Sequence, residues 1–246
     1  MRPTVLVFSG LDPSGGAGIG ADIEAIAAQG AHALPLVTAL TVQDNNRVYE
    51  VLPVDSAVIV RQAQVLIDAF AIGAVKIGIP GSLENAEAIA ALLMRLRSRR
   101  PGLPVVLDPV LASGNGDRLA RGDALQAIRA LLPVTSVLVP NLPEAEALAG
   151  APCEHVLVTG GHGEGERVVN RWHGAGQTRE WSWPRLPGEY HGSGCTLAAA
   201  IAAQLALGEP VPRALELAQS YCHETLAQSF VIGAGQRIPQ RLVHTY

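Results

Sequence analysis

Short runs rich in valine, leucine and isoleucine alternate with alanine-rich stretches along most of this chain, and few folds accommodate that alternation. The apolar runs at residues 5–9, 34–42, 74–79, 105–107, 137–139 and 156–159 read as strands. Between them, residues 17–29, 56–70, 84–97, 123–132 and a short stretch from Pro143 have helical composition. Continuously apolar strands belong to a sheet covered on both faces, and a helix between consecutive strands makes them parallel. The expected fold is therefore α/β: a central, mostly parallel sheet flanked by helices, in three layers. Residues 167–184 break the pattern, with Val168, Trp172, Thr178, Trp181 and Trp183 flanking the turn Gly174, Ala175, Gly176, Gln177; they read as a small antiparallel hairpin at one edge. Its tryptophans either cover the sheet edge or stack on a ligand ring. Helices at 195–207 and 212–228 close the series. With no repeat, low-complexity tract or linker, residues 1–246 are expected to form a single domain.

Composition narrows the partners. Apolar residues make up 48% of the chain and aromatics only 4%, so the core must be aliphatic. The net charge is −4, and the only basic cluster, Arg95, Arg97, Arg99 and Arg100, sits at a helix end, so no stripe exists for nucleic acid. The apolar run after Cys195 is broken by Gln204 and closed by Gly208, short of the ~20 residues that span a bilayer, so no membrane partner is expected. Asp12 interrupts the opening residues before a signal-peptide core could be completed, and they are expected to form a first strand. Three cysteines, at 153, 195 and 222, have neither metal-site nor redox spacing, which fits a reducing cytoplasm.

Polar and glycine residues gather just past the strands' carboxyl ends, where open α/β sheets bind ligands: Asp12, Gln43, Asp44, Asp108, Asn141 and Gly160. Residues 10–22 form a glycine-dense loop in which Gly16, Gly18 and Ala21 imitate a dinucleotide fingerprint. Four extra residues loosen the turn, so NAD is discounted, and no Walker lysine follows any glycine run. Asn141 and Glu144, three apart at a helix start, suit either an N-cap or the hydration shell of a magnesium ion bridging phosphates. Asp108 would face the same ion or cap a loop, and Thr159, Gly160, Gly161 and His162 would let a nucleotide approach closely. Residues 190–197, Tyr-His-Gly-Ser-Gly-Cys-Thr-Leu, place two glycines and a hydroxyl before an alanine-rich helix. Unpaired N–H groups and the helix dipole there attract phosphate and favour a thiolate at Cys195. The same segment also reads as a plain glycine turn with Cys195 as apolar filler.

In this order the segments resemble the ribokinase-like superfamily and, more narrowly, the hydroxymethylpyrimidine and phosphomethylpyrimidine kinases of thiamine biosynthesis. The resemblance rests on GLDPSGGAGIGADIEA at 10–25, TALTVQD at 38–44, VKIG at 75–78, LDPV at 107–110, PNLPEAEAL at 140–148, VTGGH at 158–162 and HGSGCTLAAAIAA at 191–203. It implies ATP-dependent phosphorylation of a hydroxymethyl group on an aminopyrimidine, then of the monophosphate to the diphosphate, with Mg2+. By resemblance, Gly192, Ser193, Gly194 and Cys195 form the anion hole, with Cys195 accepting or orienting the alcohol proton. Gln43 pairs with the ring, and Gly10, Ala17, Asp22 and Ile79 shape the substrate pocket. Asn141, Glu144, Thr159 and Gly161 hold the nucleotide, and Asp108 with Glu144 faces the metal. A homodimer is expected.

Three departures stand out. Ile79 and Pro80 replace a methionine common in the family, and Thr159 stands where some members carry lysine. Between Leu148 and Val156 a connector replaces a helix and threatens to leave a patch of sheet uncovered. A pyridoxal or pyridoxine kinase is the alternative within the same fold, and a ligand sensor without turnover is the alternative outside enzymes.

Overall fold

The computed structural model describes residues 1–112, 117 and 119–242. Among the described residues nine strands form one sheet: β1 (Thr4–Leu11), β2 (His32–Gln43), β3 (Val48–Pro53), β4 (Ile72–Ile77), β5 (Val105–Leu107), β6 (Val137–Leu138), β7 (His155–Val158), β8 (Arg167–Gly174) and β9 (Gln177–Pro184). Their order is β3-β2-β1-β4-β5-β6-β7-β8-β9. The inner strands β2, β1, β4, β5, β6 and β7 are parallel, while β3 at one edge and the β8–β9 hairpin at the other pair antiparallel. The hairpin is as the sequence suggests. Strand β3 is an addition, because its half-exposed alternation carries little apolar signal. Its turn is legible afterwards: the Asp44 carboxylate accepts from the N–H groups of Asn46 and Arg47, at 2.7 and 2.9 Å, and reverses the chain.

Because side chains alternate across a strand, β1 feeds two cores. Val5 and Val7 pack with α1 (Gly18–Ala28), α6 (Ser193–Ala206) and α7 (Val211–Ala227). Leu6 and Phe8 pack on the other face with α2 (Ser56–Ala69), α3 (Leu83–Arg99) and α4 (Ala124–Leu131). Both faces are covered, which gives the three-layer α/β architecture the sequence predicts. Residues 198–203 of α6 are all alanine or isoleucine and wholly buried, so small side chains bring this helix close over the sheet. Its N-terminus is thereby fixed at the strands' carboxyl edge. Trp172 and Trp181 belong to the first core, so these two tryptophans close the sheet edge. The connector after α5 (Leu142–Ala147) does not leave the sheet bare: Ala151 and Cys153 pack on the second core beside Leu148 and Val156.

Candidate active site

Parallel strands end on one side, so the loops after β1, β5, β6 and β7 meet there around a cleft of about 630 Å³, ample for a nucleotide-sized ligand. Gly10, Ala17, Gln43, Ile79, Asp108, Asn141, Glu144, Thr159, Gly161, Gly192, Ser193, Gly194 and Cys195 all line it. Asp22 does not. It sits beneath the cleft floor with both carboxylate oxygens 2.8 Å from Lys76 Nζ, and neither side chain is exposed. Position 22 faces inward because it lies on the buried side of α1. Burial pushes the Asp22 carboxyl up, with Lys76 opposing. Burial also disfavours the Lys76 ammonium, but Asp22, Cys195 and Asp108 outweigh it and hold this lysine above its ordinary value.

Helix α6 begins as the sequence suggests. Gly192 is its N-cap, with φ +82°, and a Cβ there would run into Gly16 O and Arg241 Nη2. Only glycine suits both demands. The first intrahelical bond runs from Thr196 N to Gly192 O, 2.9 Å, so the N–H groups of Ser193, Gly194 and Cys195 are left to a ligand. The Cys195 thiol stands beside Asp108 and the Gly18 backbone, close enough for both to influence its titration. It is not a thiolate, contrary to what the helix terminus alone favours. Burial pushes it up to about 12; Lys76 pulls it down, and Asp108 and Asp22 push it further up.

Asp108 is buried, its Oδ2 has no hydrogen-bond partner among the described residues, and burial lifts its carboxyl to about 6. Glu144 rises to about 7, through burial and then through the charge of Asp108. Asn141 and Glu144 form a reciprocal capping box at α5: Asn141 Oδ1 accepts from Glu144 N, and Glu144 Oε2 from Asn141 N, both 2.9 Å. Capping and cleft-lining thus coincide in the same two residues. No group of three or more His, Cys, Asp or Glu among the described residues suits a metal ion. The two carboxyls that burial raises, Asp108 and Glu144, do fit Mg2+, which keeps most of its waters and leans on one or two carboxylates plus phosphate oxygens.

Gln43 ends β2 at the cleft, and among the described residues its amide has no partner, leaving a donor and an acceptor for a ring. On the opposite wall Trp183 and His223 stack at 5.4 Å between centroids, and Trp183 Nε1 donates to Gln219 Oε1 at 3.3 Å.

Several contributors were not read from sequence. Asp12, which the sequence marks only as a polar residue past a strand end, organises the glycine loop: it accepts from Ser14 N and Ala17 N at 2.8 Å each, and its Oδ2 lies 2.7 Å from His191 Nε2. Burial works against its charge, but hydrogen bonds from His191 and Ser14 prevail and hold the carboxyl below its ordinary value. His191 thereby ties the loop after β1 to the start of α6. Arg241 is buried and bonds Gly16 O, Thr196 Oγ1 at 2.8 Å and Glu24 at 3.2 Å, clamping the same two segments from behind. Lys76 was visible as a lone charge in a buried strand, whereas nothing local marks Arg241.

A family model described as phosphomethylpyrimidine kinase matches residues 12–240. The chain is 34% identical to the hydroxymethylpyrimidine/phosphomethylpyrimidine kinase of Streptomyces coelicolor, covering 95% of this chain and 92% of the relative. It is 35% identical to that of Mycobacterium bovis, covering 95% and 91%. Among solved structures, phosphomethylpyrimidine kinase from Clostridium difficile superposes with a TM-score of 0.77 at 29% identity, covering 92% of this chain and 100% of that one. An ADP complex of Bacillus subtilis pyridoxal kinase reaches 0.87 at 24% identity, covering 98% of each, a likeness of fold.

Proposed function

The chain belongs to the phosphomethylpyrimidine kinase family of phosphotransferases, and from that premise we propose that it phosphorylates 4-amino-5-hydroxymethyl-2-methylpyrimidine with ATP, then its monophosphate to the diphosphate. The observation that carries the reading is the convergence of the α6 terminus, Cys195 and the unpaired Gln43 amide on one cleft. Gln43 would pair with the ring nitrogen and exocyclic amine, directing the hydroxymethyl arm toward Cys195. The N–H groups of residues 193–195 would hold the transferring phosphoryl, whose charge grows on its equatorial oxygens. The alcohol oxygen forms the new bond to phosphorus as the bond to the bridging oxygen of ADP breaks, and the alcohol proton is released to solvent.

Cys195, as a neutral thiol, orients that alcohol. Since Asp108 holds the thiol up and Lys76 holds it down, neutralising Asp108 moves Cys195 toward accepting the proton. Asp108 and Glu144 would hold Mg2+, which supplies charge neutralisation on the phosphates when bound. Three free cysteines suit a reducing compartment, and the reading places the enzyme in the cytoplasm as a homodimer.

The test is product analysis with ATP, magnesium and the pyrimidine alcohol, resolving mono- and diphosphate, with pyridoxal run in parallel. Both pyrimidine products are expected. Faster turnover of pyridoxal would overturn the substrate, and no ADP release with either alcohol would overturn catalysis.

A further inference from the structure

The cleft that is to take a nucleotide is lined by the carboxylates of Asp12, Asp108, Glu144 and Glu189, a poor setting for a polyphosphate. Among the described lining residues, Arg185 is the only lysine or arginine. Lys76 cannot serve, because Asp22 seals it below the floor. Arg185 follows β9, and its backbone N–H donates to Glu166 O at 2.8 Å, which sets the side chain against the loop after β7. There Nε donates to Gly165 O at 2.7 Å and Nη1 to Gly161 O at 2.9 Å. Nη2 is buried and has no partner among the described residues. A guanidinium carries five donors in a planar fork suited to two oxygens at once. Two of its donors are spent on the loop that holds Gly161, the wall assigned to the nucleotide, and the Nη2 pair is unmet. Buried donors are seldom left so, and an anion at this wall is what completes the set.

We infer that Arg185 binds the phosphate chain of the nucleotide, supplying the cationic contact that the position of Thr159 does not. The inference rests on the reading of the protein as an ATP-dependent kinase. It also explains why two loop carbonyls anchor the guanidinium: they hold the fork at the cleft wall before a ligand arrives, so less side-chain freedom is lost on binding.

Titration calorimetry with ADP and with adenosine, on the unmodified protein, Arg185→Gln and Arg185→Lys, separates phosphate binding from loop support. Arg185→Gln is expected to weaken ADP by roughly 10- to 100-fold, the scale of a charge-assisted hydrogen-bond pair, and to leave adenosine unchanged. Arg185→Lys, which keeps the charge and loses the fork, should fall between. Equal weakening of ADP and adenosine would show that Arg185 only supports the loop, and unchanged ADP affinity would show no contact; either overturns the inference alone. Unmodified protein that binds neither ligand would overturn the nucleotide reading, and Arg185's role with it. Retained binding of the pyrimidine alcohol by both variants verifies that they are folded.

Discussion

Replacing Asp108 by asparagine is expected to stabilise the protein while removing most of its activity. Asp108 is 5% exposed, and among the described residues its Oδ2 has no hydrogen-bond partner. Burial lifts the carboxyl from 3.8 to about 6; Lys76 pulls it back in part, and Asp22 adds to the rise. At about 1.4 kcal/mol per pH unit, holding the ionised group inside costs the folded state about 3 kcal/mol. The pH dependence has a definite sign. Between about pH 4 and about pH 6 the folded state keeps a proton that the unfolded chain has released, so stability falls as pH rises through that window and stays lower above it. The asparagine side chain carries no charge but remains a buried polar group, so the Asp108→Asn variant should recover about 1–3 kcal/mol, a rise in Tm of roughly 2–12 °C in a domain of this size. Thermal unfolding of both proteins from about pH 4 to about pH 8 measures it: the gap should be widest above pH 6 and close toward pH 4. Turnover should fall by roughly 10²-fold or more, the scale for losing one of the two carboxylates that would hold the counter-ion of the phosphates. A variant less stable at neutral pH, or a Tm gap that does not change with pH, would refute the electrostatic account of this residue.

Other substitutions test neighbouring parts of the site. Cys195→Ala should lower turnover by roughly 10²-fold or more with little change in pyrimidine affinity, read by steady-state kinetics; near-normal turnover would remove the thiol from the mechanism. Gly192→Ala forces a side chain into a left-handed backbone at a cost of about 1–2 kcal/mol, before its overlap with Gly16 O and Arg241 is counted. Urea unfolding should show at least that loss, together with abolished nucleotide binding. Lys76→Met strands Asp22 as an unpaired buried charge and should cost about 3–5 kcal/mol in chemical denaturation. Adding Asp22→Asn should restore much of it, and a double variant as unstable as the single one would count against that account.

How far the sequence reaches depends on whether a feature is decided locally or across the fold. The alternation of apolar runs with helical stretches places six parallel strands and the hairpin, because continuous burial on both faces leaves a residue-by-residue trace. Strand β3 leaves none, since its pattern is that of a half-exposed edge. The same division runs through the site. Glycines at 192 and 194, the capping pair Asn141 and Glu144, and Gln43 at a strand end are all local signals, and each lines the cleft. Asp22 shares the glycine-loop motif, yet one helical turn decides that it faces Lys76 instead. Arg241 contacts Gly16 across 225 residues and Thr196 across 45, and no local pattern could announce it.

Cys195 shows which effect wins when the two levels disagree. A helix N-terminus stabilises a negative group by at most about 2 kcal/mol. Burial beside Asp108 and Asp22 moves this thiol from 9.0 to about 12, about 4 kcal/mol in the other direction. The motif therefore fixes which atom stands at the head of α6, while its charge is set by Asp108 after β5, Lys76 in β4 and Asp22 in α1. A reaction that needs the thiolate is helped by neutralising Asp108 or Asp22, and Asp108, alone of the two in lining the cleft, is the one a ligand can reach.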